Sequence, residues 1–274
     1  MSAAVGVTSP SDAGLGEEAG ITVAVALEVV HRIEDGSRSI TVPVARAGAV
    51  PLTRRGEVWK PVRHPSQRSI ATWWWAATTG KHVGCRSMNV LAVAMLLDFD
   101  PSVTEFTAWP AKIKWRARGR ERSVVPDFFV RTAQGATLVV ACPPASGPSP
   151  RWQRQQQVLR QACQEAGWEL GMLRIPAPMA LANLRWVSRY RHPRLGDQDV
   201  EQALKAAFRT PRALEEGVRA TGLPRLSTLP RLYHLLWRQE LAMEWNRAMG
   251  PGSVISVSGR LPSAMRRPVQ QDAA

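Results

Sequence analysis

Between Ser87 and Ile175 the hydrophobic pattern changes period in a fixed order, and that order restricts what the chain can become more than any other feature of its sequence. Ser87 to Leu97 sets Met88, Leu91, Ala94 and Met95 at helical spacing, and Asp98-Phe99-Asp100-Pro101 ends the helix. Val103 to Trp109 and Ala111 to Ala117 then read as strands. Pro126 to Val130 and Thr137 to Cys142 read as a further pair, closed at Ala133-Gln134-Gly135. A Pro/Ser/Gly loop from Pro143 to Pro150 leads into a polar amphipathic helix, Trp152 to Ala166, and Trp168 to Ile175 reads as one more strand. An antiparallel meander followed by a helix and a strand defines an α/β domain.

The flanks carry weaker signals. Met1 to Gly20 is rich in Ser, Ala and Gly and is expected to be a flexible leader. The runs ITVAVALEVV and SITVPVA on either side of Asp35-Gly36 predict an N-terminal β-hairpin. Arg54 to Gly84 mixes Pro, Arg and Trp and is expected to cross a surface. Beyond Asp197, three helical segments near 199–208, 211–219 and 228–240 and a strand from Ser253 to Val257 suit a winged-helix-like module. The expected organisation is a leader 1–20, an α/β domain 21–193 that includes the hairpin, a helical module 194–260 and a flexible tail 261–274.

Charge narrows the function. The net charge of +14 makes a polyanion the default partner. Residues 1–53 hold three Arg/Lys against six Asp/Glu, whereas residues 54–131 hold 14 against six and residues 151–274 hold 19 against ten. The positive charge therefore belongs to the folded parts. No apolar run approaches the roughly 20 residues that span a bilayer, and the first 20 residues lack a signal-peptide pattern, so a cytoplasmic location is expected, away from membrane. Cys85, Cys142 and Cys163 lack CxxC spacing and read as small buried hydrophobes rather than disulfide or zinc ligands. Most of the 11 tryptophans, including Trp73-Trp74-Trp75, read as packing residues.

A series of phrases then carries a resemblance. LLDFDP closing a helix, a strand ending in Trp109-Pro110, a strand through Ile113 and Trp115, a basic turn, Pro126-Asp127-Phe128-Phe129 and VVACPP follow one another in order. ATTGKHVG precedes them and ANLRWVSRYRHPR follows. Together they resemble the TnsA-like endonuclease subunits of heteromeric transposases over residues 58–195, with a weaker continuation into LPRLYHLLWRQELA.

The resemblance implies a restriction-endonuclease-like core of the PD-(D/E)xK type. In that chemistry carboxylates hold Mg²⁺, which activates a water and neutralises the scissile phosphate, while a lysine assists. Carried over position by position, Asp127 after Pro126 is the first acid and the one candidate catalytic and metal-binding residue. The helix Glu falls at Val90, the second acid at Ala141 and the Lys at Pro143, so three of the four groups are replaced. A single carboxylate holds Mg²⁺ weakly or not at all. Arg86, at the helix start, can hold a phosphate but cannot ligate a metal.

DNA contact does not need cutting. The segment KIKWRARGRER supplies Lys112, Lys114, Arg116, Arg118, Arg120 and Arg122 as candidate DNA-binding residues, with Lys112, Lys114, Arg116 and Arg118 expected on one face of a strand. A charged edge that only prevents aggregation is the competing reading. Arg209, Arg212, Arg219, Arg225, Arg231 and Arg238 recur along the C-terminal helices, which suit either DNA or protein docking. By resemblance the partners are DNA, a DDE transposase (TnsB-like) and an ATPase regulator (TnsC-like). The expectation is a transposition subunit with a degenerate nuclease centre; a working Mg²⁺-dependent endonuclease and a DNA-binding regulator keeping only the fold are the alternatives.

Overall fold

The computed structural model describes residues 26–33, 36–61, 69–144, 147–173, 175–258 and 271–273. The chain opens with strands β1 (Glu28–Arg32) and β2 (Ser39–Pro43) and a one-turn helix α1 (Val44–Ala47). The predicted hairpin is present in these two strands; its expected beginning at Ile21 lies outside the described residues. The stretch expected to cross a surface instead contains a hairpin of β3 (Thr72–Ala76) and β4 (Lys81–Cys85).

Helix α2 (Met88–Phe99) follows, capped by the Ser87 side chain, which accepts from the Val90 N–H at 3.3 Å. Every residue from Ala92 to Phe99 is buried, as its nearly unbroken apolar sequence requires. Strands β5 (Val103–Ala108), β6 (Ala111–Ala117), β7 (Arg120–Val124), β8 (Phe128–Thr132) and β9 (Thr137–Val140) come next. Helix α3 (Pro150–Ala166) has Ser149 as its N-cap, Pro150 in its first turn and a left-handed Gly167 at its end, and it leads to β10 (Glu169–Leu173).

Strands β5, β8, β9 and β10 form one sheet. The first three pair antiparallel and β10 joins β9 in parallel. Period-2 alternation divides their side chains between two cores. Phe128, Val130, Leu138 and Val140 face the layer of α2, whereas Phe129 and Val139 face that of α3 with Leu159, Ala162 and Trp168. This is an α/β arrangement with a helix on each face of a mixed sheet, and the order is helix, three antiparallel strands, helix, parallel strand.

A second sheet, in the order β2-β1-β6-β7, packs over the α3 side through Val29, Ile113 and Val124. The chain passes from one sheet to the other at Trp109-Pro110. Trp109 takes a left-handed φ of 51° there, uncommon for a bulky residue, and its N–H donates to the Asp127 carbonyl at 3.2 Å.

The C-terminal part comprises α4 (Pro178–Val187), α5 (Gln198–Ala207), β11 (Arg212–Ala213), α6 (Leu214–Ala220), α7 (Arg225–Trp237), β12 (Leu241–Met243) and β13 (Val254–Val257). The expected Ser253–Val257 strand is the middle one of a three-stranded sheet, β11-β13-β12. Its core is continuous with that of α2: Phe99 packs on Trp237 and Trp245 at ring distances of 5.2 and 5.4 Å. In the tail expected to be flexible, β14 (Gln271–Ala273) pairs antiparallel with β10.

Candidate nucleic-acid interface

Asp127 directly precedes β8, and its N–H donates to the Val140 carbonyl at 2.8 Å, which sets it beside the end of β9. Its side chain is 1% exposed, and a carboxylate so deep must be paired. Arg86, just before α2, supplies the pairing. Its Nε donates to Oδ1 at 2.5 Å and one Nη to Oδ2 at 2.9 Å, a two-pronged contact. The same Nη lies 3.3 Å from the Cys142 carbonyl, and the Cys142 N–H donates to Oδ2 at 2.7 Å. Burial pulls the Arg86 guanidinium down, but the charge and hydrogen bonds of Asp127 outweigh it and hold it above its usual range.

Of the positions expected to hold the missing groups, Ala141 and Asp127 come together at one sheet end, and Ala141 lines an adjoining cleft. Pro143 is exposed, beside the cleft-lining Pro144. Val90, one turn beyond Arg86, is buried in the core on the α2 side, whereas Ala141 belongs to the core on the α3 side. These residues do not fit Mg²⁺. Both oxygens of the one carboxylate are engaged, and no group of three His, Cys, Asp or Glu suited to a metal occurs among the described residues.

The three cysteines are free and buried, as their spacing implies. Burial pushes the Cys85 thiol up to about 12, with the charge of Asp127 adding to it, and burial alone does the same to Cys163. Cys142 is pushed well up by burial first and Asp127 second. Neutral thiols around Asp127 leave its charge to Arg86.

Asp98 is not part of this site. It accepts from Trp74 Nε1 at 2.9 Å and from the N–H groups of Ala77 and Thr78, with Arg191 at 3.9 Å stacked on the Trp74 ring. It ties the β3–β4 hairpin to α2, more than the helix-terminal turn that its sequence suggests. Glu105 likewise faces away and pairs with Arg54 at 3.0 Å.

The six basic candidates between 112 and 122 do not share one face. Arg118 and Gly119, both at positive φ, form the turn between β6 and β7, so Arg118 leaves the strand alternation. Lys114 stands opposite Ser123, and Arg116 opposite Glu121; Lys112 projects to the same side. Arg120 and Arg122 stand opposite Ala117 and Trp115 and therefore project to the other side. Lys114 pairs with Glu121 at 2.8 Å and sits across from Glu28 of β1. The basic segment is thus a two-stranded ribbon, half-buried where its inner strand joins a sheet and exposed toward the turn, with its charge divided between two sides.

Lys112 and Ser123 also line the cleft beside Asp127, together with Arg86, Trp109 and Arg151. Arg151 is not among the residues the sequence pattern singles out, and Trp109 enters there only as the end of a strand. The available signal for the first is Ser149-Pro150, which starts a helix at this point.

The C-terminal arginines are largely engaged by nearby acids. Arg225 meets Glu215 at 3.4 Å, Arg231 meets Asp197 at 3.8 Å, and Arg238 meets Glu201 at 3.3 Å and also Glu240. Arg219 meets Glu215 at 3.8 Å. Helix α7 instead exposes Leu226, at 89% of its surface. No family model matches this chain, and no curated protein matches it either.

Proposed function

We propose that this protein is a TnsA-like subunit of a heteromeric DNA transposase, which binds donor DNA and a DDE transposase partner while its nuclease centre is degenerate. The observation that carries the reading is the position of Asp127: it opens a central strand of a sheet whose element order is helix, three antiparallel strands, helix, parallel strand. That order, with the acid at a strand start and the β6–β7 ribbon inserted after the first strand, supports a PD-(D/E)xK framework. Here the cation beside the acid is the guanidinium of Arg86. Binding without cutting is the reading this pairing supports, since among the described residues no second carboxylate joins Asp127 to hold Mg²⁺.

The order α5, β11, α6, α7, β12, β13 supports a winged-helix-like C-terminal module. The engaged arginines and the exposed Leu226 favour a protein partner for α7 over a DNA groove. A cytoplasmic site of action and a TnsC-like ATPase partner belong to the same proposal.

The test combines binding with nicking of supercoiled plasmid in Mg²⁺ and Mn²⁺, with and without a DDE transposase partner. Expected are salt-sensitive duplex binding and no nicking. Metal-dependent nicking that disappears in Asp127→Ala would restore the active endonuclease, and failure to bind any duplex would remove the DNA reading.

A further inference from the structure

The cleft beside Asp127 encloses about 450 Å³, room for a nucleotide-sized ligand. Three cations reach its wall, Arg86, Lys112 and Arg151, and no Asp or Glu is among the described residues that line it. Asp127 lies beneath, fully covered, while the Arg86 side chain remains 42% exposed. The guanidinium therefore stands between a buried negative charge and an open space. Nε and one Nη hold the carboxylate, which leaves the other Nη as a donor for a ligand.

Two further donors point to an anion. The N-terminus of α3, a 17-residue helix, opens at the cleft through Ser149, Arg151 and Trp152, and the positive end of its dipole favours negative charge. Trp109, 1% exposed and also lining the cleft, has an indole N–H that meets no acceptor among the described residues. Its six-membered ring abuts Gly84, where an added Cβ would lie 2.4 Å from Cζ3, so the pyrrole edge carrying the N–H is turned away from β4. A buried donor of this kind is normally satisfied, and a ligand oxygen meets it only once the side chains that cover it at the cleft wall shift.

We infer that this cleft is a metal-independent receptor for a nucleic-acid phosphate, in which Arg86 stands in for a divalent cation and Lys112 and Arg151 complete the grip. The inference rests on the nucleic-acid reading proposed above and assigns it a site. A planar guanidinium already fixed by a carboxylate is well suited to a phosphate, because its orientation is set before the ligand arrives. Free inorganic phosphate, a terminal phosphomonoester and a backbone diester share this chemistry, and the test separates them.

Fluorescent single-stranded oligonucleotides with and without a 5′-phosphate, and one duplex, are titrated with the full chain in EDTA and in Mg²⁺, with inorganic phosphate as competitor. Binding is expected to persist in EDTA, with no strengthening by Mg²⁺. Lys112→Gln with Arg151→Gln should weaken it by roughly tenfold or more, the scale of lost hydrogen bonds to a charged group. If both residues grip one phosphate, the log–log salt slope for the duplex should fall by about 0.9 in total and not by twice that, because the slope counts phosphates neutralised. Arg86→Gln with Asp127→Asn removes both charges together, so that no carboxylate is left stranded, and should weaken binding comparably with the fold retained. Dependence on the 5′-phosphate assigns a terminal monoester, and indifference to it assigns a backbone diester. Loss of binding in EDTA, absence of oligonucleotide binding, or wild-type affinity in both paired variants would overturn the inference. In the last case persistent duplex binding leaves the wider DNA reading standing, whereas a wild-type chain that binds no nucleic acid ends both.

Discussion

The pair Arg86–Asp127 predicts an unequal response to losing either partner. Asp127 is 1% exposed and Arg86 42% exposed in their side chains. Arg86→Gln strands a carboxylate that water cannot reach, with the Cys142 N–H as its remaining charge-stabilising donor among the contacts described here. Breaking a buried pair in this way costs about 3–5 kcal/mol, a large part of a typical stability of roughly 5–15 kcal/mol. Asp127→Asn leaves a guanidinium that solvent can take up, and the amide oxygen still accepts a hydrogen bond, so about 1–2 kcal/mol is expected. The double variant removes the stranded charge and should be more stable than Arg86→Gln alone, with a coupling energy of about 2 kcal/mol. Urea unfolding followed by tryptophan fluorescence measures all three. Mg²⁺ should leave the wild-type midpoint unmoved, because a ligand stabilises only in proportion to its occupancy. An Asp127→Asn cost equal to or above that of Arg86→Gln, or a midpoint raised by Mg²⁺, would refute the reasoning.

Gly84→Ala drives a methyl group into the buried ring of Trp109, within 2.6 Å of two of its atoms, and should cost about 1–3 kcal/mol by the same unfolding assay. Lys114→Gln with Arg116→Gln should make the duplex salt slope shallower by about one unit, since Glu121 and Glu28 already offset Lys114, and Arg120→Gln with Arg122→Gln, on the other side, should leave it unchanged. Cys85 and Cys163 keep their protons to about pH 12 in the fold, whereas unfolded thiols lose theirs near pH 8.5, in round terms. The folded state then binds more protons across that window, so this contribution is full below about pH 8.5 and is lost as the pH rises toward 12. A chromogenic disulfide at pH 8 should titrate no native thiol at those two positions.

The elements that sequence made legible are those whose packing is two-sided and punctuated. Helix α2 was visible from its apolar run and its Asp-Pro stop, and β8 and β9 from apolar residues bracketing Gly135. Strand β3 was hidden because Trp73, Trp74 and Trp75 erase the alternation, although Trp73 is 53% exposed and Trp74 is buried. Strand β7 buries only Val124, so its conformation comes from pairing with β6 and not from its own pattern. Helix α4 did carry a signal, with Pro178 at its start and Ala180, Leu184 and Val187 at helical spacing. At the site, Asp127 is legible through the resemblance, as the acid that follows Pro126 before a strand. Arg86 is visible at the helix start as a phosphate holder, but its pairing with Asp127 is not, because 41 residues separate the two.

Helix α2 touches both ends of the proposed activity. Arg86 precedes its first turn, and Phe99, its last residue, lies under Trp237 of α7, with Gln239 Nε2 donating to the Phe99 carbonyl at 2.6 Å. Twelve residues make a rod of about 18 Å, buried along most of its length, and close-packed interiors yield little. If a protein seats on α7 and a phosphate at Arg86, as proposed, α2 is the element that joins them, and any coupling between the two would be reciprocal. Trp237→Leu, distant from the cleft, should then alter oligonucleotide affinity; an unchanged affinity in a correctly folded variant would mean that α2 transmits nothing.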